Sequence, residues 1–411
     1  MLTTFFGCQS SLDSMLRSPN PQISSGEVIS DDEGLPLGKI FQDPTIILTG
    51  ASSDTDNSKT ATADYMGQGT TGEESLMQKG ERIYQEALSA TGEKKKELFI
   101  SSANYFEQAA AKEPGTLVEQ RALFHQGEAL FFADHYDHAN KVFSRLLKKY
   151  PKCRFADIAN ARRFTIAKYW EERHQKEPLP PYMMNLFDPA RPINDMYGNS
   201  IRTFNHIRLD DPTGELADDA TLAAGNAAFA QKDYFMADRY YGDLRDNFPD
   251  SAHQYTAHLL SVKTKLKLYR GSEYSSDPLV QSKSLIEKMI KQFPERAQQD
   301  QEYLKRAYAE VRYRLAEREW KMGQYYGGRA EYRAARIYYE KIIEEYHDTP
   351  FAAKAKAEMD QLVGKADVPS QKLKWLVDIF PESDELNATP KRSRKSVYDQ
   401  VNHWFTNPFG G

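Results

Sequence analysis

Three stretches of this chain superpose on one another without a gap. Gly127, Ala139, Phe143, Leu146 and Pro151 form the first, Gly225, Ala237, Tyr241, Leu244 and Pro249 the second, and Gly323, Ala335, Tyr339, Ile342 and His347 the third. The offsets within each are 12, 4, 3 and 5 residues. Self-similarity at fixed spacing means one supersecondary unit used several times, which restricts the fold more than any composition can. The spacing has a physical reading. The glycine belongs in a first helix where a neighbouring helix comes close. The alanine belongs in a second helix, where a larger side chain would push the pair apart. The aromatic residue one turn later fills the space between units. The proline cannot continue a helix and ends it. Each unit therefore reads as two arms of an αα-hairpin.

Half of the pattern recurs between these units, as Ser102, Phe106 and Pro114, as Ser200, Phe204 and Pro212, and as Ser282, Ile286 and Pro294. With these there are six second helices, followed by new helices opening near Thr116, Arg154, Glu215, Ser251, Ala297 and Phe351. The expected fold is all-α, a tetratricopeptide-like α-solenoid of about six helix pairs over residues 73–363. The weaker units carry insertions. One is expected at Lys94–Glu97 between the helices of the first pair. A second, Gln175–Asp195, holds Pro178, Pro180, Pro181, Pro189 and Pro192 and reads as a loop; a third spans Gly271–Pro278. Loops of the second kind are uncommon in compact arrays and are often functional.

Outside the repeats the texture changes. Residues 9–72 are dominated by Ser, Asp, Gly, Thr and Pro and read as a disordered, flexible linker. Residues 1–8 end a short apolar run in Gly7-Cys8, which resembles the end of a bacterial lipoprotein signal with Cys8 as the lipid attachment site. The basic n-region is missing and the run is too short, faults that a start codon placed too far downstream would explain. Residues 364–411 hold an amphipathic stretch, Lys372–Phe380, with Leu373, Leu376, Val377 and Phe380 on one side. It is expected to cap the array, because terminal repeats need a covering face. A basic cluster (Lys391, Arg392, Arg394, Lys395) and the aromatics Tyr398, Trp404, Phe405 and Phe409 follow as a tail.

Several function classes are excluded. A net charge of −5 argues against a nucleic-acid partner. Two cysteines, Cys8 and Cys153, make neither a disulfide framework nor a zinc site. No apolar run reaches the roughly 18 residues of a membrane-spanning helix. Gly67-Gln-Gly69-Thr-Thr-Gly72 satisfies the dinucleotide fingerprint as a string but lacks the strand and βαβ unit that give it meaning. His125, His135 and His138 near Glu128 read as packing or surface residues rather than metal ligands. The expectation is a binding protein with no catalytic residues, no metal, no cofactor and no small-molecule substrate.

The three full units match the tetratricopeptide consensus at Gly, Ala, aromatic and Pro. The unit endings Lys149–Ala156, Asn247–Ala252 and Phe293-Pro294, with the stretch Tyr332–Ala357, are similar to the BamD (YfiO) outer-membrane assembly lipoproteins, over about residues 75–362. The resemblance implies a lipid anchor at the periplasmic face of the outer membrane. It also implies work beside a β-barrel insertase, receiving or positioning unfolded barrel proteins. The long linker after Cys8, the proline-rich loop in the third pair and a sixth pair depart from that family. Carried over from the repeat family, a concave peptide groove would be lined by Arg121, Phe124, Glu128 and Phe131, then Asp219, Leu222, Asn226 and Phe229. Phe124 and Phe131 would be its apolar anchors, or else core residues, and Asn226 would bond peptide backbone. Phe124 and Glu128 stand where carboxylate-clamping Lys and Asn would be, which disfavours a chaperone adaptor of the cytosol. The alternative is a soluble tetratricopeptide adaptor of another complex, cytoplasmic or periplasmic.

Overall fold

The computed structural model describes residues 75–178, 184–367 and 369, and these contain helices, turns and bends and no strand. Cys8, the linker 9–72, the glycine string 67–72 and the stretch Lys372–Phe380 lie outside the described residues. Fourteen helices are described: α1 (Leu76–Ser89), α2 (Gly92–Lys112), α3 (Leu117–Phe132), α4 (Tyr136–Lys149), α5 (Ala156–Lys176), α6 (Met196–Asp210), α7 (Ala217–Ala230), α8 (Tyr234–Asn247), α9 (Gln254–Leu268), α10 (Asp277–Gln292), α11 (Pro294–Gln299), α12 (Gln301–Gly328), α13 (Tyr332–Glu345) and α14 (Pro350–Gln361). The chain divides after Leu315, inside α12, into two compact units. In the first, α1/α2, α3/α4, α5/α6, α7/α8 and α9/α10 are antiparallel pairs; in the second, α13 pairs with the end of α12 and packs on α14. Among the described residues six pairs of tetratricopeptide type are therefore present.

The glycine of each full unit does what its spacing implied. A Cβ built on Gly127 would lie 2.5 Å from the Phe143 ring, and one on Gly225 would lie 2.6 Å from Tyr241. Gly323 meets Tyr339 in the same way. The ring of the second helix thus lies directly on the backbone of the first. The half-pattern units use a variant of this contact. Ser102 Oγ donates to the Gly80 carbonyl and Ser200 Oγ to that of Ala167, each at 2.9 Å, beneath the rings of Phe106 and Phe204. In these two units the serine hydroxyl finds a buried backbone acceptor across the pair, whereas Ser282 of the third donates to Pro278 O one turn back in its own helix at 2.8 Å.

The turns between paired helices are also copies. Asp134, Lys232 and Ala330 stand at one register position with φ of 63°, 62° and 61°. The next N–H reaches back to close each helix: His135 to Leu130 O at 2.9 Å, Asp233 to Ala228 O and Glu331 to Tyr326 O at 3.0 Å. This is the left-handed Schellman ending, which satisfies carbonyls that the last turn leaves without partners.

Two insertions take forms that spacing alone does not decide. Lys94–Glu97 is not a loop between helices, as expected above, but lies within α2. The extra residues lengthen both arms of the first pair, because Lys and Glu favour helix and the turn at Ala90-Thr91 stays short. In the Gln175–Asp195 segment α5 ends at Lys176, and the described residues 184–195 are built rather than loose. Asn185 Nδ2 donates to the carbonyls of Asp188 and Arg191, and Asn185 N–H donates to Ile193 O at 2.7 Å. Buried Trp170 donates from Nε1 to Ala190 O at 2.8 Å. Arg191 pairs with Asp188 and Glu177. Held this way, the loop leaves Phe187 95% exposed.

Candidate functional site

Successive first helices touch one another: α1 with α3, α3 with α5 and α5 with α7. Their shared face is where the expected groove residues fall. Four glycine-containing or equivalent positions in these helices (Gly80, Gly127, Ala167, Gly225) place Tyr84, Phe131, Glu171 and Phe229 one turn further on. Phe131 and Phe229 are half-buried and have matched surroundings. Each packs on the aromatic that opens its second helix, Phe131 on Tyr136 and Phe229 on Tyr234, with centroids 5.4 and 5.3 Å apart. Each is also covered by a cation from the next first helix, Arg162 at 4.8 Å over Phe131 and Lys263 at 5.6 Å over Phe229. The negative ring face and the partly desolvated cation attract by roughly 0.5–2 kcal/mol, so the aromatic and the charge form one amphipathic contact surface.

The charges on this face are paired between helices. Arg121 Nη2 meets Glu81 at 3.0 Å, and Arg162 grips Glu128 with two hydrogen bonds of 2.7 and 3.1 Å. His253 Nε2 lies 2.8 Å from Asp219. That hydrogen bond raises the His253 pKa, against the opposing effect of burial. Asn226 Oδ1 accepts from the Tyr241 hydroxyl at 2.9 Å, which directs its amide nitrogen, a donor, to the remaining side. Burial with a weak push from Glu171 drives the Tyr241 hydroxyl far above its ordinary pKa, so it stays a proton donor.

Of the eight expected groove residues, Phe131, Phe229, Asn226, Arg121 and Asp219 keep part of their surface in solvent. Phe124 is only 7% exposed and stacks on Phe155 at 4.3 Å, and Leu222 lies in the core around Tyr241. Glu128 is buried beneath Arg162. Nothing in the sequence marks Arg162, Lys263, His253 or Tyr84 as part of this face. Each faces a residue on a different first helix, and no local spacing reports that. His125 is stacked against Phe106 at 5.3 Å; burial, reinforced by Arg121 and Arg154, lowers its pKa to about 4. The rings of His135 and His138 are 6.1 Å apart at the start of α4. Among the described residues no group of three or more His, Cys, Asp or Glu is placed to hold a metal ion. No described helix is long and apolar enough to cross a membrane.

Residues 193–374 match the family model YfiO, described as an outer membrane lipoprotein, and residues 121–152 match a tetratricopeptide repeat model. No curated protein matches the chain. The chain is a tetratricopeptide-repeat protein, a scaffold of helix pairs that resembles the YfiO (BamD) family.

Proposed function

We propose that this relative of the YfiO lipoproteins works at the periplasmic face of an outer membrane. Cys8 anchors it there through lipid, residues 9–72 tether it, and the repeat domain holds unfolded β-barrel proteins or a component of their assembly machinery. The observation that carries the reading is the YfiO match across residues 193–374. The first-helix face supports it chemically. Segments bound for a β-barrel alternate apolar and polar side chains. Phe131 and Phe229, each backed by a cation, offer flat apolar contact at two places, and the Asn226 amide nitrogen can donate to a peptide carbonyl. Arg121 and Asp219 would form a polar rim, leaving Phe124, Leu222 and Glu128 to hold the face in shape. The role is binding rather than turnover.

Two measurements on the full-length protein expressed from its own gene test this. Envelope fractionation should place it with the outer membrane, and Cys8→Ala should release it. Recovery of the unchanged protein in the cytoplasm would sink the reading in favour of a soluble adaptor. Phe131→Ala with Phe229→Ala should weaken binding of a urea-unfolded outer-membrane barrel protein by at least about tenfold, since two partly desolvated aromatic contacts of about 1 kcal/mol each are removed. Unchanged affinity would move the contact surface elsewhere.

A further inference from the structure

In an alternating array every second turn falls on one edge, so the links between α5 and α6, α7 and α8, and α9 and α10 share an edge of the first unit. They are neighbours there, because α6 packs on α7 and α8 on α9. Each link carries a large apolar side chain turned to water. Leu186 and Phe187 in the first are 70% and 95% exposed, Phe235 beside the second is 71% exposed, and Tyr274 in the third is 57% exposed. Phe187 is not out through slack in the backbone, since Asn185 before it and the Trp170 bond to Ala190 after it pin the loop. Phe235 stands where the other full units carry Asp137 and Arg333, so the packing of the repeat does not call for it. Burying such side chains is favourable, and a fixed backbone that leaves them in water points to a contact outside the chain.

The charges beside these side chains are unequally engaged. Most of the acids are held within the fold. Glu177 and Asp188 pair with Arg191 at 3.1 and 2.8 Å. Asp195 and Asp233 cap α6 and α8 by accepting from the N–H groups of Gly198 and Met236. Asp277 lies in the first turn of α10, where a carboxylate suits the helix dipole. Glu273 is exposed and pairs with no described residue. The cations Lys176, Lys232 and Arg270 are exposed, one at each link, and no described residue pairs with them. Each link therefore offers an apolar side chain and a free cation together. Long cationic side chains reach phosphate level while neighbouring apolar groups enter the acyl boundary of a bilayer. The combination recurs at separate tips rather than in one closed patch, which fits an extended surface of phosphate headgroups over hydrocarbon better than a pocket in a protein.

We propose that this edge of the first unit rests on a phospholipid surface, with Phe187, Phe235 and Tyr274 entering the headgroup boundary and Lys176, Lys232 and Arg270 meeting lipid phosphates. The inference rests on the function proposed above in that the lipid at Cys8 supplies the membrane, and the edge sets how the repeat domain lies on it. A few partly inserted side chains make a weak contact alone, which an anchor strengthens by raising effective concentration, so Cys8→Ala is still released from the envelope. Sedimentation of the full-length Cys8→Ala chain with vesicles of phosphatidylethanolamine and phosphatidylglycerol, at millimolar lipid, tests the edge by itself. The chain should bind, and added salt should weaken binding. Phe187→Ser with Phe235→Ser should weaken it at least about tenfold, with thermal unfolding unchanged because both side chains are exposed. Equal binding by that variant would overturn the proposal. So would the absence of binding by the parent chain, which would give these side chains to a protein partner instead. Because the chain tested carries no lipid, either result stands whatever envelope fractionation shows about the anchor.

Discussion

At the scale of single residues, the contact that defines each pair is a ring lying on a glycine. Phe143 is fully buried, and its edge occupies the space that a Gly127 side chain would need. Replacing Gly127 by alanine sets two effects against each other. Helix propensity favours alanine by about 1 kcal/mol, and overpacking a filled site costs roughly 1–3 kcal/mol. The ring is clamped between α3, α4 and α5 and has little room to retreat, so overpacking wins. Gly127→Ala should lower the unfolding free energy by up to about 2 kcal/mol in urea titration, and adding Phe143→Leu should recover part of the loss. If the single variant proved more stable than wild type, the ring would be free to shift and this account of the register would be wrong. Gly127 and Ala139 could be read from sequence because the steric demand repeats at one spacing. Arg162 and Lys263 could not, because their partners, Phe131 and Phe229, lie on a neighbouring helix 31 and 34 residues earlier in the chain.

At the scale of elements, the shared turn bends the chain through a left-handed residue whichever side chain stands there. Left-handed backbone costs a non-glycine residue about 1–2 kcal/mol. Asp134 recovers some of this by pairing with Lys96 and accepting from the Tyr136 hydroxyl. No such contact is seen for the Ala330 methyl. Ala330→Gly should therefore raise the unfolding free energy by about 0.5–1 kcal/mol, less whatever the unfolded glycine gains in chain freedom. Thermal unfolding decides it, and a fall in Tm would mean that the turn is not strained. The pairing of the helices followed from proline and from the repeat, but the short helix α11, which Pro294 opens, did not. Nor did the fate of each insertion. Lys94–Glu97 became helix because its residues favour helix, whereas residues 184–195 became a pinned loop through the partners of Trp170 and Asn185, which only the folded chain brings together.

At the scale of the whole molecule, half-buried His125 and buried Glu171 pull stability in opposite directions with pH. His125 has its pKa lowered from 6.5 to about 4, so below pH 6.5 the unfolded chain takes up a proton that the folded chain refuses. Stability therefore falls as pH drops from 6.5 towards 4, by up to about 3 kcal/mol. Glu171 has its pKa raised from 4.5 to about 7 by burial, so its contribution is present below pH 4.5 and is lost as pH rises through 7. His125→Phe removes the first effect alone. Between pH 7.5 and 5 the variant should lose less stability than wild type by about 1–2 kcal/mol, and equal losses would show that the His125 imidazole is not kept neutral by desolvation. The three full units have a further consequence. Gly127, Gly225 and Gly323 are spaced by 98 residues, and so are Ser102 and Ser200, and Phe106 and Phe204. The length repeated among these residues is thus two helix pairs. A chain spliced from Gly127 directly to Asn226 would keep every ring on its glycine and every left-handed turn in phase. It would lose the proline loop entirely and be shorter by one such cassette.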